Sequence, residues 1–385
     1  MRLAAASLAG GLGGGANSAS LAQDSPPEGA GRIPVRPLRP RLAPVGVVGL
    51  GCPQAPGYPS AGELGAIVRL FLDRGANVLE VSCVHGNPGR EEELARALAG
   101  RRAEAFLVAT LSPRGGVLAQ IDDILKRLGT DRLDLCCLSG AKNDYTLRVV
   151  LDRDLPELRR ARAQGKVLLL GADCRSSAAT ARTLVESAGL DAVTIPLSLV
   201  RREFAEEVLP AAESRGVGVI AIEPFNYGEL LRRPKGLERV LGGTVDEAHA
   251  RALEFVLAFP VASVLVGWES AAAAELSLAV ASRFRGLSEE AVSRTAFGRE
   301  RTARALCRAC GNCLPCPVKI NIPQVHRQYA MATHYGFIEY ARACYSAERV
   351  KASECIRCGR CDRRCPYKLP VEKTVIEAHA VLSGG

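Results

Sequence analysis

Hydrophobic positions in the middle of the chain follow two alternating patterns. Short apolar runs rich in β-branched residues predict strands, and stretches with apolar residues three and four positions apart predict amphipathic helices between them. The eight predicted strands are residues 45–50, 77–81, 105–110, 132–138, 166–171, 191–195, 216–222 and 262–267. Many of these runs are apolar throughout, which is typical of a parallel sheet covered on both faces.

Eight strand and helix units within roughly 240 residues favour a (β/α)8 TIM barrel over an open doubly wound sheet. No G-x-G-x-x-G motif follows the first predicted strand, which also argues against a dinucleotide-binding open sheet. In such barrels the chemistry lies where strands end, so the polar and sulfur-containing residues there are the candidates for a site. They are Cys52, Glu80, Cys83, His85, Ser112, Ser139, Asp173, Ser198, Glu223 and Trp268.

The pattern divides the chain into four segments. Residues 1–22 are a leader-like or disordered run of small residues, and residues 23–44 are a linker rich in proline and arginine. The barrel is expected over 45–285 and a separate cysteine-rich domain over 286–385.

The first 22 residues are too short and too rich in glycine to span a bilayer, so no integral membrane segment is expected. They contain one early arginine, Arg2, and a small-x-small sequence at 20–22 that is typical of a cleavage site. We therefore expect a cytoplasmic protein, or a periplasmic one if this stretch is the remainder of a twin-arginine-type leader.

Charge and cysteine are concentrated at the end of the chain. The 385 residues carry a formal net charge of +9, and residues 286–385 contain 16 lysines and arginines against nine acidic residues, together with nine of the 14 cysteines. A basic balance suggests an anionic partner, but no basic and aromatic stacking platform is present, so nucleic acid is not expected.

Eight of those nine cysteines form two closely spaced runs. They are Cys307-x2-Cys310-x2-Cys313-x2-Cys316-Pro317 and Cys355-x2-Cys358-x2-Cys361-x3-Cys365-Pro366. The second run has the spacing of a bacterial ferredoxin, and the first is one residue shorter in its last gap. Apolar spacing over 317–354, between the runs, predicts one or two helices, so the domain is expected to be a small, mainly α-helical ferredoxin-like iron–sulfur domain.

Two 4Fe-4S clusters are the predicted cofactors. In two-cluster proteins the fourth cysteine usually serves the other cluster, and the shortened first gap makes the partner of Cys316 the less certain assignment. The predicted sets are Cys307, Cys310, Cys313 and Cys365 for one cluster, and Cys355, Cys358, Cys361 and Cys316 for the other. Two alternatives stay open: a zinc site, which normally takes two close cysteines from each of two separated knuckles, and disulfides in an exported protein. Cys344, Cys136 and Cys137 are predicted to be core residues.

Several segments resemble the aldo/keto reductase family, over about residues 36–281. Residues 75–80 followed by His85 and Gly86 resemble the family segment that carries its catalytic Asp and Tyr. Residues 109–111 resemble the third-strand Thr-Lys, and residues 133–139 resemble the fourth-strand run that ends in His. A barrel followed by such a cysteine-rich tail resembles an iron–sulfur subgroup of bacterial and archaeal aldo/keto reductase-like proteins.

The resemblance implies an altered active site. The family's Asp, Tyr, Lys and His fall on Glu80, His85, Leu111 and Ser139, so none is retained. Hydride addition to a carbonyl needs a proton donor, and a tyrosine serves only beside a cation, which Leu111 cannot supply. Glu80 and His85 are the candidate catalytic pair; the competing interpretation is two solvated loop residues.

The same resemblance implies a phosphate-binding loop after the last strand. Gly267 and Ser270 are the candidate cofactor-binding residues there. Glu269 places a negative charge where a phosphate would bind, and no nearby cation offsets it. NADP is therefore expected to bind weakly or not at all.

Together these features predict an iron–sulfur oxidoreductase of aldo/keto reductase type. Its two clusters would pass electrons to or from a small substrate, with an electron donor or acceptor protein as partner. The alternative is a non-catalytic barrel that acts as a docking scaffold for an electron-transfer module. The sequence leaves open whether the barrel is catalytic.

Overall fold

The computed structural model describes residues 31–39, 44–51, 61–81, 88–142, 144–267, 270–295, 307 and 309–384. The strands are β1 (Val35–Pro37), β2 (Pro44–Gly46), β3 (Val48–Gly51), β4 (Val78–Glu80), β5 (Phe106–Leu111), β6 (Leu133–Leu138), β7 (Val167–Asp173), β8 (Ala192–Pro196), β9 (Gly218–Ile222) and β10 (Ser263–Gly267). The helices are α1 (Ala61–Asp73), α2 (Pro88–Ala97), α3 (Val117–Leu128), α4 (Asp144–Val149), α5 (Leu155–Ala163), α6 (Ala178–Ser187), α7 (Glu203–Arg215), α8 (Glu238–Leu241), α9 (Val245–Leu257), α10 (Ala271–Arg283), α11 (Glu289–Thr295), α12 (Ile322–Thr333), α13 (Ile338–Ser346), α14 (Arg360–Arg364) and α15 (Val371–Leu382). Single turns of 3-10 helix cover Arg102–Glu104, Leu230–Arg232 and Ala352–Glu354, and one π-helical turn covers Val150–Asp154.

Strands β3 to β10 form a closed parallel barrel in chain order, with β10 paired to β3. All eight predicted strands are present, so the predicted (β/α)8 barrel is confirmed. Alternate residues of each strand face the barrel interior and the surrounding helices. Cys137 belongs to the interior cluster with Leu135 and Leu169, whereas Cys136 packs outward with Leu170, and both cysteines are fully buried core residues.

A short hairpin closes the amino-terminal end of the barrel. β1 and β2 pair in antiparallel fashion, and Leu38 and Val45 join the interior cluster of the barrel. Arg36 anchors the hairpin by donating to the carbonyls of Leu257 and Val261, both at 2.9 Å. The segment predicted as a linker over 23–44 therefore contributes a strand and core residues from Gly31 onward, which its proline and arginine content concealed.

The cysteine-rich end of the chain is mainly helical, as predicted. α12 packs against α13 and α15, and the fully buried Val325 and Ala341 belong to their shared core. The first cysteine run precedes α12, and the second surrounds α14.

This helical region and the barrel belong to one compact unit over residues 31–385. The Tyr340 hydroxyl donates to Glu229 Oε1, in the loop after β9, at 2.6 Å. The buried Arg202 guanidinium, which follows β8, lies 4.3 Å from the ring centroid of Tyr335 and 5.7 Å from that of Phe337. These contacts hold the cysteine-rich region at the carboxyl end of the barrel strands.

No helix in the described part of the chain is long and apolar enough to cross a membrane.

Candidate functional site

Three buried carboxylates converge at the carboxyl end of the barrel. Glu80 ends β4, Asp173 ends β7, and Glu223 directly follows β9. The side chains of Glu80 and Asp173 are only 6% and 4% exposed, and that of Glu223 is 7% exposed. Buried carboxylates are stable only when they are paired, so their partners decide what this end of the barrel can do.

Arg175, two residues after β7, is the shared partner of all three carboxylates. Its guanidinium donates to Asp173 Oδ2 at 2.8 Å and to Glu223 Oε1 at 3.0 Å, and its Nη2 lies 3.7 Å from Glu80 Oε1. The Thr110 hydroxyl donates to Glu80 at 3.3 Å, and the Thr194 hydroxyl donates to Asp173 at 2.7 Å. The usual position of substrate chemistry in a barrel is therefore filled by an ion-pair network.

A second arginine, Arg201, joins this network through Glu223. Arg201 Nη1 donates to Glu223 Oε2 at 2.8 Å, and Arg201 Nη2 donates to the carbonyl of Arg175. The Tyr227 hydroxyl donates to Glu223 Oε1 at 2.8 Å, and burial together with this carboxylate raises the pKa of Tyr227. Glu223 has a left-handed backbone, with φ of 60°. That conformation is costly for a residue with a side chain, and three hydrogen bonds hold the carboxylate in place.

The cysteines of the two runs surround two separate cavities. One is lined by Cys307, Cys310, Cys313 and Cys365. The other is lined by Cys316, Cys355, Cys358 and Cys361, and also by Cys313. All eight are free thiols. Each cavity thus brings three cysteines of one run together with the fourth cysteine of the other run.

The environment of these thiols suits a metal centre that brings positive charge. Burial raises the pKa of Cys307 and of Cys313 to about 12, so each would keep its proton unless a metal displaced it. The backbone N–H of Ala309 donates to the Cys307 sulfur, which stabilises the thiolate form. An all-thiol donor set of this kind is typical of iron–sulfur ligation.

Within the described ranges, no group of three or more His, Cys, Asp or Glu side chains could hold one metal ion by itself. Thiolates around a single zinc ion would lie about 3.8 Å apart, given a Zn–S distance of about 2.3 Å. The all-cysteine sets in the two smaller cavities fit iron–sulfur ligation.

A third and larger cavity, of about 300 Å³, lies between the barrel and the first cysteine run. Its barrel wall consists of Lys142, Ser176, Arg201, Glu203 and Phe204, from the loops after β6, β7 and β8. Its other wall includes Cys307 and Cys310 together with His326, Arg327, Ala330 and Tyr335 of the helical region. A small polar molecule in this space would touch both parts of the protein.

His326 is a buried wall residue of this cavity and is neutral at physiological pH. Burial lowers its pKa to about 4, while a hydrogen bond to the backbone of Val371 opposes that change. Its Nε2 has no hydrogen-bond partner among the described residues. The imidazole links α12 to the start of α15 and does not add positive charge to the cavity.

Comparison with known proteins identifies both parts of the chain. The aldo/keto reductase family description matches residues 46–293, and a 4Fe-4S dicluster domain matches residues 306–370. The chain belongs to the aldo/keto reductase family. A 4Fe-4S dicluster domain follows the aldo/keto reductase region along the chain.

Among curated proteins, D-threo-aldose 1-dehydrogenase of a Pseudomonas species is 34% identical over 117 residues, which are 30% of this chain and 35% of that protein. The chain thus matches about a third of the length of this relative. Among solved structures, an aldo-keto reductase from Bacillus halodurans in its apo form has a TM-score of 0.57 at 21% identity, covering 69% of this chain and 95% of that one. Its holo form has a TM-score of 0.58 at 20% identity, covering 69% and 96%. The solved structures show a shared fold.

Of the described residues predicted to take the tetrad positions, Ser139 and Leu111 are hydrogen-bonded to each other, and Glu80 has other partners. Leu111 is buried, and the Ser139 hydroxyl donates to the Leu111 carbonyl at 2.5 Å. Glu80 lies in the Arg175 network. His85 falls outside the described residues, so the predicted pairing of His85 with Glu80 stays a prediction.

The predicted phosphate-binding loop has one described structural role. Gly267 ends β10 and is exposed, and Ser270 caps α10 by accepting from the N–H of Ala273 at 3.3 Å. Trp268 and Glu269 between them fall outside the described residues. The hydroxyl of Ser270 is therefore already engaged at the helix start where a phosphate would bind.

Sequence reasoning missed Arg175 and Arg201, the two cations that organise the barrel mouth. The sequence candidates near the strand ends are cysteine, acidic, histidine, serine and tryptophan residues, and no arginine is among them. An available signal was the Asp173-x-Arg175 spacing, because an arginine two residues past a buried aspartate can turn back to neutralise it.

Proposed function

We propose that this protein is an iron–sulfur oxidoreductase in which two 4Fe-4S clusters pass electrons to or from a small substrate. Such clusters supply one-electron chemistry when they are bound. The cavity of about 300 Å³ that is lined jointly by barrel loops and by Cys307 and Cys310 carries this proposal. A substrate in this space would contact both the barrel and the cysteine-rich region.

We assign the cluster ligands as crossed sets. The linings of the two smaller cavities support this assignment, because each contains three cysteines from one run and the last cysteine of the other. The proposed sets are Cys307, Cys310, Cys313 and Cys365, and Cys316, Cys355, Cys358 and Cys361. Cys344 lines neither cavity and is not assigned.

The walls of the large cavity suggest how a substrate would be held. Lys142, Arg201 and Arg327 offer cationic donors, Glu203 offers one acceptor, and Tyr335 offers an aromatic surface. These groups suit a small, oxygen-rich molecule such as a hydroxy-carbonyl compound, the chemical class in which an aldose falls. In this proposal Glu80 and His85 are the acid–base candidates of the barrel mouth, and the neutral His326 helps to shape the cavity wall.

The alternative is a non-catalytic barrel that acts as a scaffold for the electron-transfer region. The ion-pair network around Arg175 favours this alternative, because Glu80, Asp173 and Glu223 are occupied by Arg175 where family members act on substrate. The two functions differ in one respect: only the enzyme needs a substrate in the large cavity.

Anaerobic preparation of the protein tests the proposed function. We expect brown protein with broad absorbance near 400 nm and about eight iron atoms per chain. After reduction with dithionite and removal of excess reductant, a suitable small carbonyl compound should restore the absorbance of the oxidised protein. Arg327→Ala should slow this reaction at low substrate concentration, and Arg148→Ala, an exposed arginine of α4, should not. Colourless protein with one or two zinc ions would exclude the iron–sulfur proposal, and brown protein that no carbonyl compound reoxidises would favour the scaffold.

NADPH should not act as the electron donor. The Ser270 hydroxyl caps α10, and Glu269, its neighbour in the sequence, adds a negative charge that disfavours a phosphate. We expect no change in NADPH fluorescence during titration up to about 100 μM and no reduction of the protein on mixing. Binding in the submicromolar range would show that the loop after β10 holds a nicotinamide nucleotide after all.

A further inference from the structure

The second cysteine run carries an exposed basic surface whose purpose the proposed function leaves unassigned. We name Ile356, Arg357, Arg360, Arg363 and Arg364 the arginine surface. All five are exposed, and Ile356 is 61% exposed, the second most exposed large apolar residue after Tyr145 among those described. An exposed apolar residue with several exposed cations close to it in the chain is typical of a protein interaction site.

The arginine surface lies directly over one cysteine-lined cavity. Ile356 and Arg360 line this cavity together with Cys355, Cys358 and Cys361. Ile356 is thus both a wall of the cavity and part of the molecular surface. A protein that contacted Ile356 would be separated from the cavity by a single side chain.

In this region two acidic side chains bond to the local backbone, whereas the basic side chains are exposed to solvent. The Glu372 carboxylate accepts from the backbone N–H of Gly359 at 2.9 Å, and the Asp362 carboxylate accepts from the N–H of Glu372 at 2.8 Å. Both acidic side chains therefore serve the local backbone. Among the described residues, Arg357 and Arg360 form no ion pair, so their charges are directed at solvent.

Backbone contacts fix the remaining two arginines in place. Arg363 donates to the carbonyl of Cys358 at 3.1 Å, and Arg364 donates to the carbonyl of Pro315, in the first cysteine run, at 3.3 Å. Neither contact neutralises the guanidinium. Of the acidic residues in 354–372, only Glu354 is exposed, against exposed Arg357, Arg360, Arg363, Arg364 and Lys368.

We infer that the arginine surface is the docking site for an acidic, one-electron carrier protein of the ferredoxin type. This inference rests on the proposed function, because it takes the cavity beneath Ile356 to hold a redox centre. The cations would steer a carrier with a negative surface, and Ile356 would form the dry centre of the contact. A docked acidic carrier would thereby lie against the cavity of Cys355, Cys358 and Cys361.

Binding of an oxidised, acidic plant-type ferredoxin to anaerobically purified full-length protein tests this inference. Isothermal titration at low ionic strength should show a complex that weakens steeply as salt is added, because exposed charges are screened. A basic cytochrome c should not bind. In Arg357→Glu/Arg360→Glu, ferredoxin affinity should fall at least about tenfold and its salt dependence should flatten. Ile356→Ser should weaken binding without changing the salt dependence.

The matched control reverses two exposed cations at the other end of the barrel. Lys126 lies in the last turn of α3, and Arg132 precedes β6. Lys126→Glu/Arg132→Glu changes net charge by the same amount and should leave ferredoxin affinity within about twofold of the wild type. If the arginine variants lose iron, Arg357→Gln/Arg360→Gln replaces them, with an expected loss of about three- to tenfold.

Equal affinities in all variants, or equal losses in the arginine and control variants, would overturn the docking site. Iron analysis of the same samples separates this outcome from a failure of the proposed function. If the protein is brown and the arginine variants bind ferredoxin as the wild type does, only the docking site is excluded. If the protein is colourless, the proposed function itself is excluded.

Discussion

The double variant Cys310→Ser/Cys365→Ser should lose one cluster and keep the other. In the crossed assignment both cysteines bind the same cluster, since both line one cavity. We therefore expect iron to fall from about eight to about four atoms per chain. Cys358→Ser/Cys365→Ser removes one ligand from each crossed set, so almost all iron should be lost. Iron analysis and low-temperature electron paramagnetic resonance of the reduced protein measure both results.

If each cluster were instead bound by the four cysteines of a single run, the two double variants would show the opposite iron contents. Cys358 and Cys365 belong to the same run, so Cys358→Ser/Cys365→Ser would then retain about four iron atoms, and Cys310→Ser/Cys365→Ser would retain almost none. Cys344→Ser is the matched control, because this half-buried cysteine lies in α13 of the same region and lines neither cavity. Its iron content should equal that of the wild type.

Removal of the Arg175 side chain should be the most damaging substitution in the barrel. In Arg175→Leu the carboxylates of Glu80, Asp173 and Glu223 lose the cation they share. Breaking a buried ion pair by removing one partner typically costs about 3–5 kcal/mol, and the Arg175 side chain is 23% exposed, so we expect about 3 kcal/mol. Protonation of a carboxylate removes the uncompensated charge. The difference in free energy of unfolding between variant and wild type should therefore shrink as the pH falls from 7 to 5.

Anaerobic urea denaturation at both pH values measures this effect. Lys373→Ala provides the control, because Lys373 pairs with Glu377 on the surface of α15 and is 75% exposed. Such exposed pairs contribute little, so this variant should remain within about 0.5 kcal/mol of the wild type at either pH. A loss below about 1 kcal/mol in Arg175→Leu, or one that ignores pH, would show that the three carboxylates do not depend on Arg175.

The sequence predicts the barrel well because many of its strands are apolar runs. Burial on both faces leaves a signal in consecutive residues, as in 218–222 and 167–172. The hairpin of β1 and β2 leaves no such signal. Its strands have three residues each and contain Pro37 and Pro44, so neither local periodicity nor propensity reveals them.

The candidate site likewise has one part that the sequence predicts and another that it does not. The spacing of the cysteine runs depends on local chain geometry, so the sequence alone predicts the cofactor type. The Arg175 network brings together the ends of β4, β7 and β9, which are far apart in the chain and meet only when the barrel closes. The large cavity likewise depends on how α12 packs over the loops after β6 and β8, which no local pattern encodes.

The hairpin at the amino-terminal end also sets the smallest part of this protein that should fold. Without residues 31–46, Leu38 and Val45 would no longer cover the barrel interior. The interior side chains of Val78, Val108 and Leu135 would then be exposed to water at the amino-terminal end of the barrel. A shortened version that begins at the first barrel strand should therefore aggregate, whereas one that begins at Gly31 retains a sealed barrel floor. The arginine-rich segment before the barrel therefore shields the amino-terminal end of the barrel core from water.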